Sequence, residues 1–110
     1  MTRNNDELIG DALNHIAALR RHLERGDLAD ETEADAVSLR LAAAIEALSD
    51  LEPEVREDLF GEDWKVIWAT RNRIAHGYAF VDLSVIQDTV ENDLPGVHDR
   101  LSNYRLGRKK

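Results

Sequence analysis

The sequence predicts an all-α fold, an antiparallel helical bundle, and three observations carry that expectation. Apolar side chains recur at three- and four-residue intervals through most of the chain. The stretches that keep this period are punctuated by Gly26, Pro53, Gly61 and Gly77, and the one strand-like run, Tyr78 to Val81, is too short and isolated to build a sheet. A chain of 110 residues has room for one hydrophobic core and not for two. Residues 1–106 are therefore expected to form a single helical domain, followed by a basic flexible tail, 107–110.

Leu8, Ala12, Ile16, Leu19 and Leu23 mark a first helix over residues 5–25, with Asn4 or Asn5 as its N-cap and Gly26 as its stop. Ala34, Val37, Leu41, Ala44 or Ile45, Leu48 and Leu51 carry the same period from residue 30 to 51, and Pro53 ends it. Residues 54–60 offer at most a short helical turn. Beyond Gly61 a third long helix is expected over 62–76, with Gly77 placed to terminate it. Asp82 can cap a helix to residue 92 that aligns Leu83, Ile86 and Val90, and Pro95 suits the first turn of a last, short helix with Val97, Leu101 and Tyr104.

Composition narrows the setting. There is no cysteine, so neither a disulfide nor a thiolate ligand or nucleophile is available, and a reducing cytoplasm is expected. No apolar run approaches the roughly 20 residues that cross a bilayer, and no apolar segment follows the polar start Met-Thr-Arg-Asn-Asn-Asp-Glu, so a soluble, unexported protein is expected. The net charge of −8 argues against nucleic-acid binding, which draws affinity from lysine and arginine on phosphate. Its distribution weakens the objection: residues 1–59 hold 6 basic and 15 acidic side chains (6 − 15 = −9), whereas residues 60–110 hold 8 and 7 (8 − 7 = +1). Local positive charge gathers at Arg71, Arg73 and the tail from Arg105 to Lys110, although on charge grounds alone a solvated surface is the simpler account of both halves.

The sharpest anomaly lies in the third long helix. On a wheel of about 100° per residue, Trp64, Ile67, Trp68, Ile74, Ala75 and Tyr78 form one apolar stripe, and Arg71 falls in its middle. An unpaired buried guanidinium is costly. Arg71 is thus either a structural arginine that snorkels or meets a carboxylate such as Glu46, or a group kept for its chemistry. His76 lies about 140° round the helix from Arg71, and a histidine in a last helical turn is favoured by the macrodipole whatever its role. Tyr78 has a packing role open to it against Trp64 or Trp68.

The run from Asp63 through Trp64, Trp68, Arg71-Asn72-Arg73 and His76-Gly77-Tyr78 resembles the signature of the HEPN superfamily, in particular the HepT-like toxins: arginine, a polar residue, three further residues, histidine, any residue, tyrosine. Ile45-Glu46-Ala47-Leu48 and the segments Val81-Asp82 and Asn92-Asp93-Leu94-Pro95 extend the likeness. The chain departs from the pattern in lacking a glycine before Glu46 and in carrying Asp63 where a proline is common. Neither departure touches Arg71, Asn72, His76 or Tyr78. The resemblance implies a HEPN-type bundle with a short extra C-terminal helix, and a metal-independent endoribonuclease toxin that needs no cofactor. It implies a homodimer with Arg71 and His76 as catalytic residues facing their counterparts across a cleft, and Asn72 and Arg73 as substrate-binding residues. Its cognate partner would be an MntA-like nucleotidyltransferase antitoxin that adenylylates Tyr78.

Elementary chemistry gives a compatible picture. Cleaving RNA by transesterification needs a base for the 2′-hydroxyl proton, an acid for the leaving 5′-oxygen and positive charge on the phosphorane. One chain offers one good imidazole for two proton transfers, and a two-fold axis near His76 supplies the second. Other constellations come out empty: His15 and His22 share a face of the first helix without further ligand spacing, the serines sit in no nucleophile elbow, and the acidic run 27–35 lacks a calcium-loop pattern. Two competing readings remain, a non-catalytic helical dimer that binds a nucleotide or a partner protein, and a chain that serves mainly as the substrate subunit of a nucleotidyltransferase.

Overall fold

The computed structural model describes residues 4–26, 28–77 and 83–108, and among them every regular element is helical. They are α1 (Asn5–Arg25), α2 (Glu31–Ser49), α3 (Pro53–Phe60), α4 (Asp63–Gly77), α5 (Leu83–Asp88), a π-helical turn (Thr89–Asp93) and α6 (Leu94–Arg108). No helix among the described residues is long and apolar enough to cross a membrane.

Local chemistry explains the boundaries. The Asn4 side chain accepts from the Glu7 amide at 2.8 Å, with Asp6 and Glu7 in the first turn of α1 and His22 and Arg25 in its last, the charge order that the macrodipole favours. Asp30 caps α2 by accepting from the Glu33 amide at 3.2 Å. Pro53 occupies the first turn of α3, where its missing N–H costs nothing. That segment makes eight residues of helix rather than a single turn, and Gly61, at φ 51°, takes the positive φ that glycine tolerates and ends it. The strand-like run 78–81 lies outside the described residues, as does Asp82.

The C-terminal third corrects an expectation. A break was expected between residue 92 and Pro95, and the last helix was expected to be short; instead α5, the π turn and a 15-residue α6 form one continuous helical run. The cause is local. Pro95 has no N–H and its ring would collide with the carbonyl four residues back, so the preceding turn widens, and the Leu94 amide reaches the Thr89 carbonyl five residues back. The helix continues to Arg108, and Lys109 and Lys110 lie outside the described residues.

α1 and α2 pack antiparallel: His22 meets Glu33 at 3.0 Å and His15 meets Arg40 at 3.1 Å, so each step down one helix is a step up the other. Their facing stripes, Leu8, Ile9, Ala12, Ile16 and Leu19 against Val37, Leu41, Ile45 and Leu48, are buried. Phe60, Ile74, Ile86, Leu94 and Leu101 close the core from the later helices. Each such side chain contributes about 1.5–3 kcal/mol through its removal from water. α4 lies on α2, and Asp63 at its start pairs with Arg100 of α6 at 3.0 Å. These contacts fix α4 and with it Arg71.

Candidate active site

Arg71 projects from α4 toward α2 and is bound on three sides. Its Nε donates to Glu46 Oε2 at 2.6 Å, its Nη1 donates to Asn72 Oδ1 at 3.2 Å, and its guanidinium carbon stands 4.8 Å from the Trp68 ring centroid. The side chain is 25% exposed and that of Glu46 53%, so the pair sits at a wet boundary and not in a sealed core. The sequence nominated Glu46 as the carboxylate that would make an arginine tolerable in the apolar stripe, and the pairing is found. It does not consume the guanidinium, because two of its five N–H donors are used and three remain among the described residues.

The stripe is only partly internal. Ile74 is buried, Trp64, Ile67 and Trp68 are half-buried, and Ala75 is exposed. The wheel identified the face correctly but could not tell a core from an outer groove. Ile74, Ala75 and Arg71 line a groove of about 560 Å³ with Leu39, Ala42, Ala43 and Glu46 of α2. Asp35 also lines it.

Leu39 is the residue that sequence reasoning missed. It is 69% exposed, among the largest unburied apolar surfaces described. A signal for it exists: Asp35, Leu39, Ala42, Ala43 and Glu46 fall at helical spacing on the face of α2 that turns away from the stripe used by the core.

His76 is exposed near the C-terminal end of α4, and Arg73 is exposed one helical face from Arg71. Asn72 is half-buried, with its side-chain oxygen accepting from Arg71. Arg71 and Asn72 are therefore in contact, whereas His76 and Arg73 stand on the solvent side of the same helix. Tyr78 lies outside the described residues.

The other histidines have structural partners. His22 pairs with Glu33 across α1 and α2. His15 Nδ1 accepts from Arg40 Nη1, and partial burial, reinforced by the Arg40 charge and opposed by Asp11, pushes its pKa below 6.5. Among the described residues no group of three or more histidine, aspartate or glutamate side chains is placed to hold a metal ion. A second cavity, of about 300 Å³, lies where α4 meets α6 and the π turn, and its charged lining is the Asp63 and Arg100 pair with Asp93. It contains no imidazole.

No curated protein and no solved structure matches the chain. A family model does: Ribonuclease HepT-like, over residues 9–103, a span that includes α2, all of α4 and the Arg71, Asn72, His76 and Tyr78 positions. A chain matched over nearly its whole length, with an all-helical fold and the arginine and histidine positions on one helix, belongs to the HepT-like ribonuclease family.

Proposed function

We propose that the protein is a metal-independent endoribonuclease toxin that works as a homodimer, with Arg71 and His76 of both protomers in one cleft. The observation that carries the reading is the state of Arg71: oriented by Glu46, Asn72 and Trp68, partly exposed, and beside a groove with three N–H donors that no described residue takes. A purely structural arginine at this boundary needs only its carboxylate.

The groove itself supports the dimer. Leu39, Ala42, Ala43, Ile74 and Ala75 form a small-residue and aliphatic surface continuous with Arg71. A second copy seated there isologously, with each Leu39 entering the other's groove, covers that surface and brings two His76 imidazoles to one substrate. In the reaction, one imidazole takes the 2′-hydroxyl proton as the 2′-oxygen attacks phosphorus, and the other protonates the departing 5′-oxygen. The products are a 2′,3′-cyclic phosphate and a free 5′-hydroxyl. The Arg71 guanidinium pairs bind the nonbridging oxygens while charge builds on them, and Asn72 and Arg73 hold flanking phosphates or sugars.

Control is assigned to a cognate MntA-like nucleotidyltransferase antitoxin that moves AMP from ATP to the Tyr78 phenolic oxygen with release of pyrophosphate. A nucleotide two residues from His76 would occupy the anion-binding cleft. The support for this step is the His76-Gly77-Tyr78 motif and the family match.

The test is incubation of metal-free protein with RNA in EDTA and analysis of the new ends. Cleavage with cyclic phosphate ends is expected; a requirement for Mg²⁺, or equal cutting of DNA, overturns the mechanism.

A further inference from the structure

Arg71 is the end of a row of rings. Phe60 is buried in the core, the Trp64 centroid lies 5.9 Å from it, the Trp68 centroid another 5.9 Å on with its plane inclined by 24°, and the Arg71 guanidinium 4.8 Å beyond. Arg56 braces the row from the side, 5.2 Å from Trp64, while its Nη1 donates to the Ser49 carbonyl at the end of α2. Each ring limits the tilt of the next, and the first is fixed by core packing. The plane that results is the Trp68 face against which the guanidinium lies.

An arginine side chain has four rotatable bonds, and an ion pair through Nε alone leaves the guanidinium free to swing about that contact. Trp68 limits this freedom by placing its ring under the guanidinium carbon, while Glu46 holds the Nε edge and Asn72 one Nη1 donor. The three N–H donors not taken by described residues then have a set direction. A phosphate bound there meets an oriented fork and causes no reorganisation when charge develops in the transition state.

We infer that Trp68 is a positioning residue for RNA cleavage, setting the plane of the Arg71 guanidinium through its ring face. This rests on the proposed ribonuclease reading. Its signature is a kcat effect with little change in KM, since a misoriented cation still attracts RNA but no longer matches the phosphorane.

The experiment compares wild type, Trp68→Phe and Trp68→Leu in single-turnover and steady-state RNA cleavage, with circular dichroism and melting to confirm the fold. Trp68→Leu is expected to lower kcat about tenfold with KM changed less than about threefold. Trp68→Phe, which keeps a ring face, should recover most of the rate. In parallel, the ring-current shift of the Arg71 side-chain protons by NMR should be present in wild type and Trp68→Phe and lost in Trp68→Leu. If the leucine variant does not fold, Trp68→Met, flexible and close in volume, takes its place. Wild-type cleavage with an undiminished kcat in the leucine or methionine variant, or a phenylalanine variant as slow as either, overturns this inference alone. A wild-type protein that cuts no RNA overturns the function and the inference together.

Discussion

Arg71 and Glu46 are joined Nε to Oε2 at 2.6 Å across the contact between α4 and α2, yet neither is buried. That placement separates two things an ion pair can do. As a stabilising contact it is weak, because partly exposed pairs are screened by water and contribute roughly 0–1 kcal/mol. As a constraint on direction it is effective, since it fixes the Nε edge of the guanidinium.

Glu46→Gln should therefore cost at most about 1 kcal/mol of stability. With the carboxylate charge gone from beside the proposed phosphate site, binding of a 2′-deoxy, uncleavable oligonucleotide should tighten severalfold. Denaturant midpoints and fluorescence anisotropy check the two halves. A collapse of stability would return Arg71 to a structural role.

Leu39, 69% exposed in the groove, should anchor the dimer. Leu39→Glu is expected to leave the helical content unchanged and to convert a dimer into a monomer at tens of micromolar, where an interface of about 1,600 Å² usually holds. Light scattering reads this directly. A wild-type protein that is already monomeric at that concentration contradicts the proposed assembly.

Ser38 is 1% exposed, and its hydroxyl has no hydrogen-bond partner among the described residues. A buried hydroxyl of that kind is a net cost, so Ser38→Ala should raise stability by about 1 kcal/mol, visible as a higher melting temperature. A lower melting temperature would mean that the hydroxyl has found a partner.

His15 gives a pH dependence with a defined sign. Burial holds its folded-state pKa below the unfolded value of 6.5, so the unfolded chain binds the extra proton more readily. The stability this contributes is complete above pH 6.5 and is lost as pH falls toward the lowered folded value. Arg40 and Asp11 are the charged groups that act on it. Urea midpoints at pH 7.5 and 5.5 should show a larger acid loss for wild type than for His15→Gln; equal losses would assign the slope to other groups.

Much of this structure was legible in the sequence because it is locally determined. The cap at Asn4, the stops at Gly26 and Gly61, and the periodic stripes of α1 and α2 involve residues within a few positions of one another. The continuous run through Pro95 was not legible, because a π turn has no residue signature of its own and the proline read as a boundary. At the site, the wheel placed Arg71 on its apolar stripe and Glu46 was nominated as partner, since both follow from helical geometry and charge. Leu39 was missed because it lies off the core stripe of α2, and only the packing of α4 beside it shows that it borders a groove. The aromatic row could not be assembled from the wheel, because it crosses the break at Gly61 and depends on the angle between α3 and α4.

The central claim is that Arg71 and His76 cleave RNA as separate contributors, and the most direct measurement is the cleavage rate of two variants in folded protein of unchanged oligomeric state. His76→Ala should lose about 10²–10⁴ in kcat, because it removes the proton-transfer group from an exposed position that contributes little to packing. Arg71→Lys should also lose most activity, since it keeps the charge but not the planar fork held by Glu46, Asn72 and Trp68. Cleavage near the original rate in either variant, with wild-type stability and assembly, would contradict the account.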